Sequence, residues 1–80
     1  MSHWNNRVVR QVWYPGTERE EFNYAIHETF YGIDDEHTTS ITIDPTAPQG
    51  ETLEELRETL QRMLRACDYP VLDYDTREEI

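Results

Sequence analysis

Three histidines, one cysteine and two acidic runs are the residues of this chain whose types could do chemistry. His3, His27 and His37 fall in different segments, without the close spacing that lets imidazoles and thiolates converge on one zinc ion. His27 stands beside Glu28 in sequence, but neighbours on an extended segment point to opposite sides, so a structural histidine is expected there. Asp34, Asp35 and Glu36, and later Asp73 and Asp75, are ligands for a hard cation by type. The stretch "GIDDEHTT" nevertheless lacks the alternation of ligands that a calcium loop requires, and reads as a solvated turn. Cys67 is alone; with no base beside it in sequence it is expected to pack as a small hydrophobe. No metal or cofactor is implied, and a domain this small leaves little room for a walled pocket, so the chain is not expected to be an enzyme.

The aromatic residues point elsewhere. Trp4, Trp13, Tyr14, Phe22, Tyr24, Phe30, Tyr31, Tyr69 and Tyr74 are too many for the inner face of one small sheet. Trp13 and Tyr31 fall on the second face of their strands, where exposure would mark an interface. Together with His27, Asp34, Asp35 and Glu36 they form the set expected to meet a partner.

The elements that must position these groups follow from the periodicity. "WNNRVVRQVWY" alternates as a strand, with Trp4, Val8, Val12 and Tyr14 on its more apolar side, and "YPG" ends it. "FNYAIHETFY" alternates again, with Phe22, Tyr24, Ile26 and Phe30 on the side expected to face the core. "TTSITID" makes a third strand, and the three read as an antiparallel meander. Pro45, Pro48 and Gly50 exclude a further ladder. Thr52 then starts a helix as N-cap, with Glu55 completing a capping box. Leu53, Leu56, Leu60, Met63, Leu64 and Cys67 recur at intervals of three and four, one stripe of about four turns meant for the sheet. The helix stops before Pro70, "PVLDYD" can add a short closing strand, and residues 76–80 read as a disordered tail. The expected architecture is α+β: a three-stranded antiparallel sheet packed on one C-terminal amphipathic helix, with a possible short fourth strand, as a single domain over residues 1–75.

Eighty residues bury only about 60–65% of their unfolded surface, so all apolar groups must serve one core. Seventeen Asp and Glu against seven Arg give a net charge of -10, with no Lys at all. A field of that sign repels phosphate and argues against direct binding of nucleic acid, while it attracts a basic partner. No apolar run reaches the roughly 18–20 residues of a membrane span, and "MSHWNNRVVR" lacks the core of a signal peptide. With one unpaired cysteine, a cytoplasmic protein is expected.

The order of strands, proline-containing loop and helix resembles the N-terminal domain of HicB-like antitoxins, the likeness resting on Gly50, Glu51, Thr52, Leu53, Glu54 and Glu55 at the helix start. It stops short of a C-terminal DNA-binding module, and "YGIDDEHT" replaces the glycine-centred turn usual in that family. The stretches "YAIHETFY", "DPTAPQGETLEELRETLQRML" and "PVLDYD" are also similar to those of a group of short uncharacterised bacterial proteins. The antitoxin resemblance implies the same β-β-β-α sandwich and the neutralisation of a toxin. Residues and resemblance together lead to an acidic, non-enzymatic protein-binding module, an inhibitor or accessory protein docking on a basic, nucleic-acid-handling protein. Two other readings stand beside it: a phage or mobile-element protein that mimics nucleic-acid charge, and a homodimeric structural protein.

Overall fold

The computed structural model describes residues 3–32 and 38–80, with side chains of His3, Thr38 and Thr39 left aside. Strands β1 (His3–Trp13) and β2 (Glu21–Tyr31) pair antiparallel from His3 opposite Tyr31 to Trp13 opposite Glu21. A four-residue strand β3 (Thr38–Ile41) pairs antiparallel with the far end of β2, and helix α1 (Leu53–Ala66) follows. The closing strand β4 (Leu72–Asp73) then lies on the other edge, so the sheet order is β3-β2-β1-β4. The expected α+β architecture is what forms, fourth strand included. That strand runs parallel to β1, with Val9 opposite Leu72 and Arg10 opposite Asp73. The direction follows from the crossover: after β3, which runs the same way as β1, the helix carries the chain back to the end of the sheet where β3 began, so β4 enters in the same direction.

The helix start is built as its residues require. Thr52 is extended (φ -128°, ψ 162°), and its hydroxyl oxygen accepts from the Glu55 amide at 3.1 Å. The Glu55 carboxylate reaches back to the amide of Glu51, at 2.9 Å, one residue before the cap. Gly50 makes this possible by close approach: a Cβ there would lie 2.6 Å from the Leu56 nitrogen and 2.8 Å from the Glu55 Cβ. Because those atoms belong to the helix frame, Gly50→Ala should destabilise the fold by about 1–3 kcal/mol, the usual range for overpacking. A urea titration in which Gly50→Ala and wild type unfold together would refute this account.

The core inverts the face expected from hydrophobicity. Opposite residues of an antiparallel pair share a face, and the face of Arg7, Val9, His27, Thr29 and Tyr31 is the buried one. The opposite face leaves Trp4, Phe22 and Tyr24 exposed. Strand β4 decides this, because it brings Leu72 beside Val9 and Tyr74 against His27, ring centroids 5.9 Å apart. Most of the polar groups so enclosed are paired, as burial demands, the Nε of Arg7 being buried without a partner among the described residues. Arg7 donates from Nη1 to the Tyr31 hydroxyl at 3.1 Å and from Nη2 to the Pro70 carbonyl at 2.7 Å. The Thr29 hydroxyl donates to the Asn5 carbonyl at 2.9 Å. His27 Nδ1 lies 2.9 Å from the Thr42 carbonyl, which can only accept, so Nδ1 carries the proton.

Two further expectations are corrected. The helix buries Met63 and Ala66, with Leu56 and Thr59 half-buried, while Leu53, Leu60, Leu64 and Cys67 are exposed. The buried stripe is thus turned by roughly a quarter of the helix circumference from the leucine stripe, at 100° per residue. Residues 76–80, read as a disordered tail, fold back on β4: Asp73 donates its amide to the Glu78 carbonyl at 2.9 Å, and Ile80 to that of Val71 at 2.8 Å. Among the described residues no helix is long and apolar enough to cross a membrane.

Candidate functional site

The unequal strand lengths create a projecting arm. Strands β1 and β2 each hold eleven residues, about 36 Å at 3.3 Å per residue. Yet β4 flanks β1 only at Val9 and Arg10, and the chain beyond β3 follows β2 only as far as Ile26, whose carbonyl accepts from Thr46. From Gln11 to Asn23 the hairpin is therefore a two-stranded ribbon with both edges open, at one end of a molecule 43 Å long.

Three large aromatic side chains are exposed on this ribbon, Trp13, Tyr14 and Phe22, and a fourth, Tyr24, is exposed at its base. Phe22 and Tyr24 lie on one face, opposite Val12 and Arg10, and the Arg10 guanidinium sits 4.8 Å from the Phe22 ring centre. That cation–π contact stiffens an otherwise open surface. Trp13 occupies the other face, and Tyr14 begins the connecting loop.

The loop itself is ordered by its own side chains. The Glu20 carboxylate accepts from the Gly16 amide at 2.7 Å, and the Thr17 hydroxyl donates to the Tyr14 carbonyl at 2.8 Å. Gly16 adopts φ 77°, as glycine can, but Tyr14 adopts φ 52°. A tyrosine in the left-handed region costs about 1–2 kcal/mol relative to its ordinary backbone wells, and here the side chain gains no interior packing in return, being 61% exposed. Glu18, Glu20 and Glu21 surround the loop with only Arg19 to balance them. Rigid, exposed aromatic groups beside carboxylates are suited to a protein surface bearing Arg or Lys.

No protein-family model, curated protein or solved structure matches the chain.

The expected partner-binding residues separate in space. Trp13 is exposed on the arm. Tyr31 and His27 are interior, 7% and 3% exposed, each held by hydrogen bonds on the enclosed face. Asp34, Asp35 and Glu36 lie outside the described residues. The exposure of Tyr14, Phe22 and Tyr24 was not expected, because alternation assigned their side of the hairpin to the core. The one signal that could have found them is strand length: each long strand reads as about ten residues, which exceeds what a short third strand and one helix can cover.

A concavity lies between α1 and the start of β1. Trp4, Asn6 and Glu28, on the sheet face opposite Val9, line a groove of about 160 Å³ with Thr59, Arg62 and Met63 of the helix, and Asn6 is buried there. It places the helix over that end of the face and leaves the arm uncovered. One carboxylate and one guanidinium face the groove, and among the described residues no three of His, Cys, Asp and Glu come together as ion ligands.

Proposed function

We propose that the chain is a non-enzymatic protein-binding module, an inhibitor or accessory protein, whose acidic aromatic arm docks on a basic protein of the nucleic-acid-handling kind. The observation that carries this reading is the arm: three exposed aromatic rings on an open ribbon with a fourth at its base, one of them on a strained tyrosine. Backbone strain on an exposed residue is a cost to folding that a binding role accounts for. The net charge of -10 supports the sign of the partner, since it steers a basic surface toward the arm.

Tyr14→Gly separates stability from binding. Glycine adopts the left-handed backbone freely but loses more entropy on folding, so the variant should be as stable as wild type or more stable by about 0.5–1 kcal/mol in urea unfolding. In an affinity capture from the native organism read by mass spectrometry, wild type should retain a basic protein. Tyr14→Gly and Phe22→Ser should lose it, and rising salt should release it. A partner set indifferent to both substitutions and to salt would end this reading.

A further inference from the structure

We infer that the exposed leucine stripe of α1 is an interface for a second copy of this chain, docked antiparallel. Leu53, Leu60 and Leu64 fall within about 40° of one another around the helix. They are 72%, 47% and 72% exposed, so the most apolar side of the helix faces away from the sheet.

Charge identifies the occupant. Within Leu53–Ala66 three Glu and three Arg cancel, leaving fourteen acidic and four basic residues, the entire -10, to the rest of the chain. The helix is thus the element on which two copies can approach with least repulsion. Its charges are also divided along its length. Glu54, Glu55 and Glu58 with Arg57 give the first half a charge of -2, and Arg62 and Arg65 give the second half +2. An antiparallel copy sets each acidic half beside a basic half and opposes the two helix dipoles; a parallel copy sets like against like. About a twofold axis at Leu60, the leucine meets its own counterpart, and Leu53 comes level with Cys67, which is exposed at the helix C-cap. This interface is separate from the arm and does not depend on the partner proposed for it.

Light scattering on the eluting 80-residue chain, across a concentration series, tests the inference. Wild type should pass from one to two copies of 9.6 kDa. Leu60→Glu, which sets a carboxylate against its counterpart, should raise the dissociation constant about 100-fold or more, and Leu64→Glu should do the same from a still more exposed position. Circular dichroism should stay unchanged in both variants, and Tyr14→Gly should dimerise like wild type. Orientation is read with Leu53→Cys: mild diamide oxidation should form an intermolecular disulfide between the introduced thiol and Cys67, and Leu60→Glu should abolish it. A monomer at every concentration, a dimer that survives both glutamates, or Cys67–Cys67 as the main disulfide would each overturn the proposal.

Discussion

Leu72→Ala should destabilise the protein by about 3 kcal/mol, within the range for emptying a buried leucine site. Leu72 is 2% exposed and stands beside Val9, itself 1% exposed, where β4 joins the sheet. Few apolar side chains are buried with them among the described residues: Tyr31, Met63 and Ala66. A core so small cannot redistribute around a lost isobutyl group. The backbone of β4 also holds the C-terminal residues, through the Asp73 amide to the Glu78 carbonyl. In a domain of this length about 3 kcal/mol is a large share of the total stability and corresponds to roughly 12–24 °C in Tm. Ile43→Ala, at a site 81% exposed, should stay within about 0.5 kcal/mol of wild type. Equal urea midpoints for the two variants would show that β4 is not where the core closes.

The second large effect belongs to Arg7. Its guanidinium ties three parts of the chain together: Tyr31 of β2, the Pro70 carbonyl after the helix, and Glu79 near the C-terminus at 3.6 Å. It also lies 5.6 Å from the centre of the Tyr69 ring. The contact with Glu79 adds little, since that carboxylate is largely exposed and screened. The buried bonds carry the effect: without the fork, the Pro70 carbonyl and the Tyr31 hydroxyl each lose a charged donor, at about 1.5–3 kcal/mol per bond. Arg7→Ala should therefore cost about 3–5 kcal/mol, including the packing of the lost stem. Arg7→Met keeps the stem and should cost less. Arg7→Lys should recover only part of the loss, because an ammonium group cannot span two acceptors as the planar fork does. Hydrogen exchange supplies a local readout: the Ile80 and Asp73 amides should lose protection in Arg7→Met before those of Val8 and Ile26. Uniform loss along the chain would mean that Arg7 stabilises the sheet alone.

Much of the secondary structure was legible because it is decided by neighbours in the chain. Thr52 and Glu55 announce the helix start, and the hydrogen bonds there need no distant residue. Alternation through Val8, Val9, Val12, Phe22 and Ile26 announces the two long strands, since side chains on a strand must face opposite ways. Their pairing follows from the short connection at Pro15 and Gly16. Alternation cannot say which side is inside, however. It divides the hairpin into two sets, and the more apolar set, with Phe22 and Tyr24, is the natural choice for a core. That choice fails because burial depends on what arrives from elsewhere in the chain. Leu72 and Tyr74 arrive on the side of Val9 and His27, and Arg7, Thr29 and Tyr31 are enclosed there, joined to one another and to backbone carbonyls by hydrogen bonds.

The candidate site shares this division. Trp13 could be found as an aromatic residue on the less apolar side of its strand, and it is exposed. Tyr31 could be placed on the same side by the same reasoning, and it is buried, because the arm is open at Trp13 while the sheet is enclosed at Tyr31. Tyr14 carries its most informative property in a backbone angle that no residue type reveals. By itself the sequence determined the elements, their order and the acidic charge, all of which follow from local periodicity, capping and composition. Only the tertiary structure decided which sheet face closes, which side of α1 is left with leucines in water, and how far the hairpin projects. Those outcomes are set by contacts between residues such as Val9 and Leu72, more than sixty positions apart in the chain, for which local pattern carries no information.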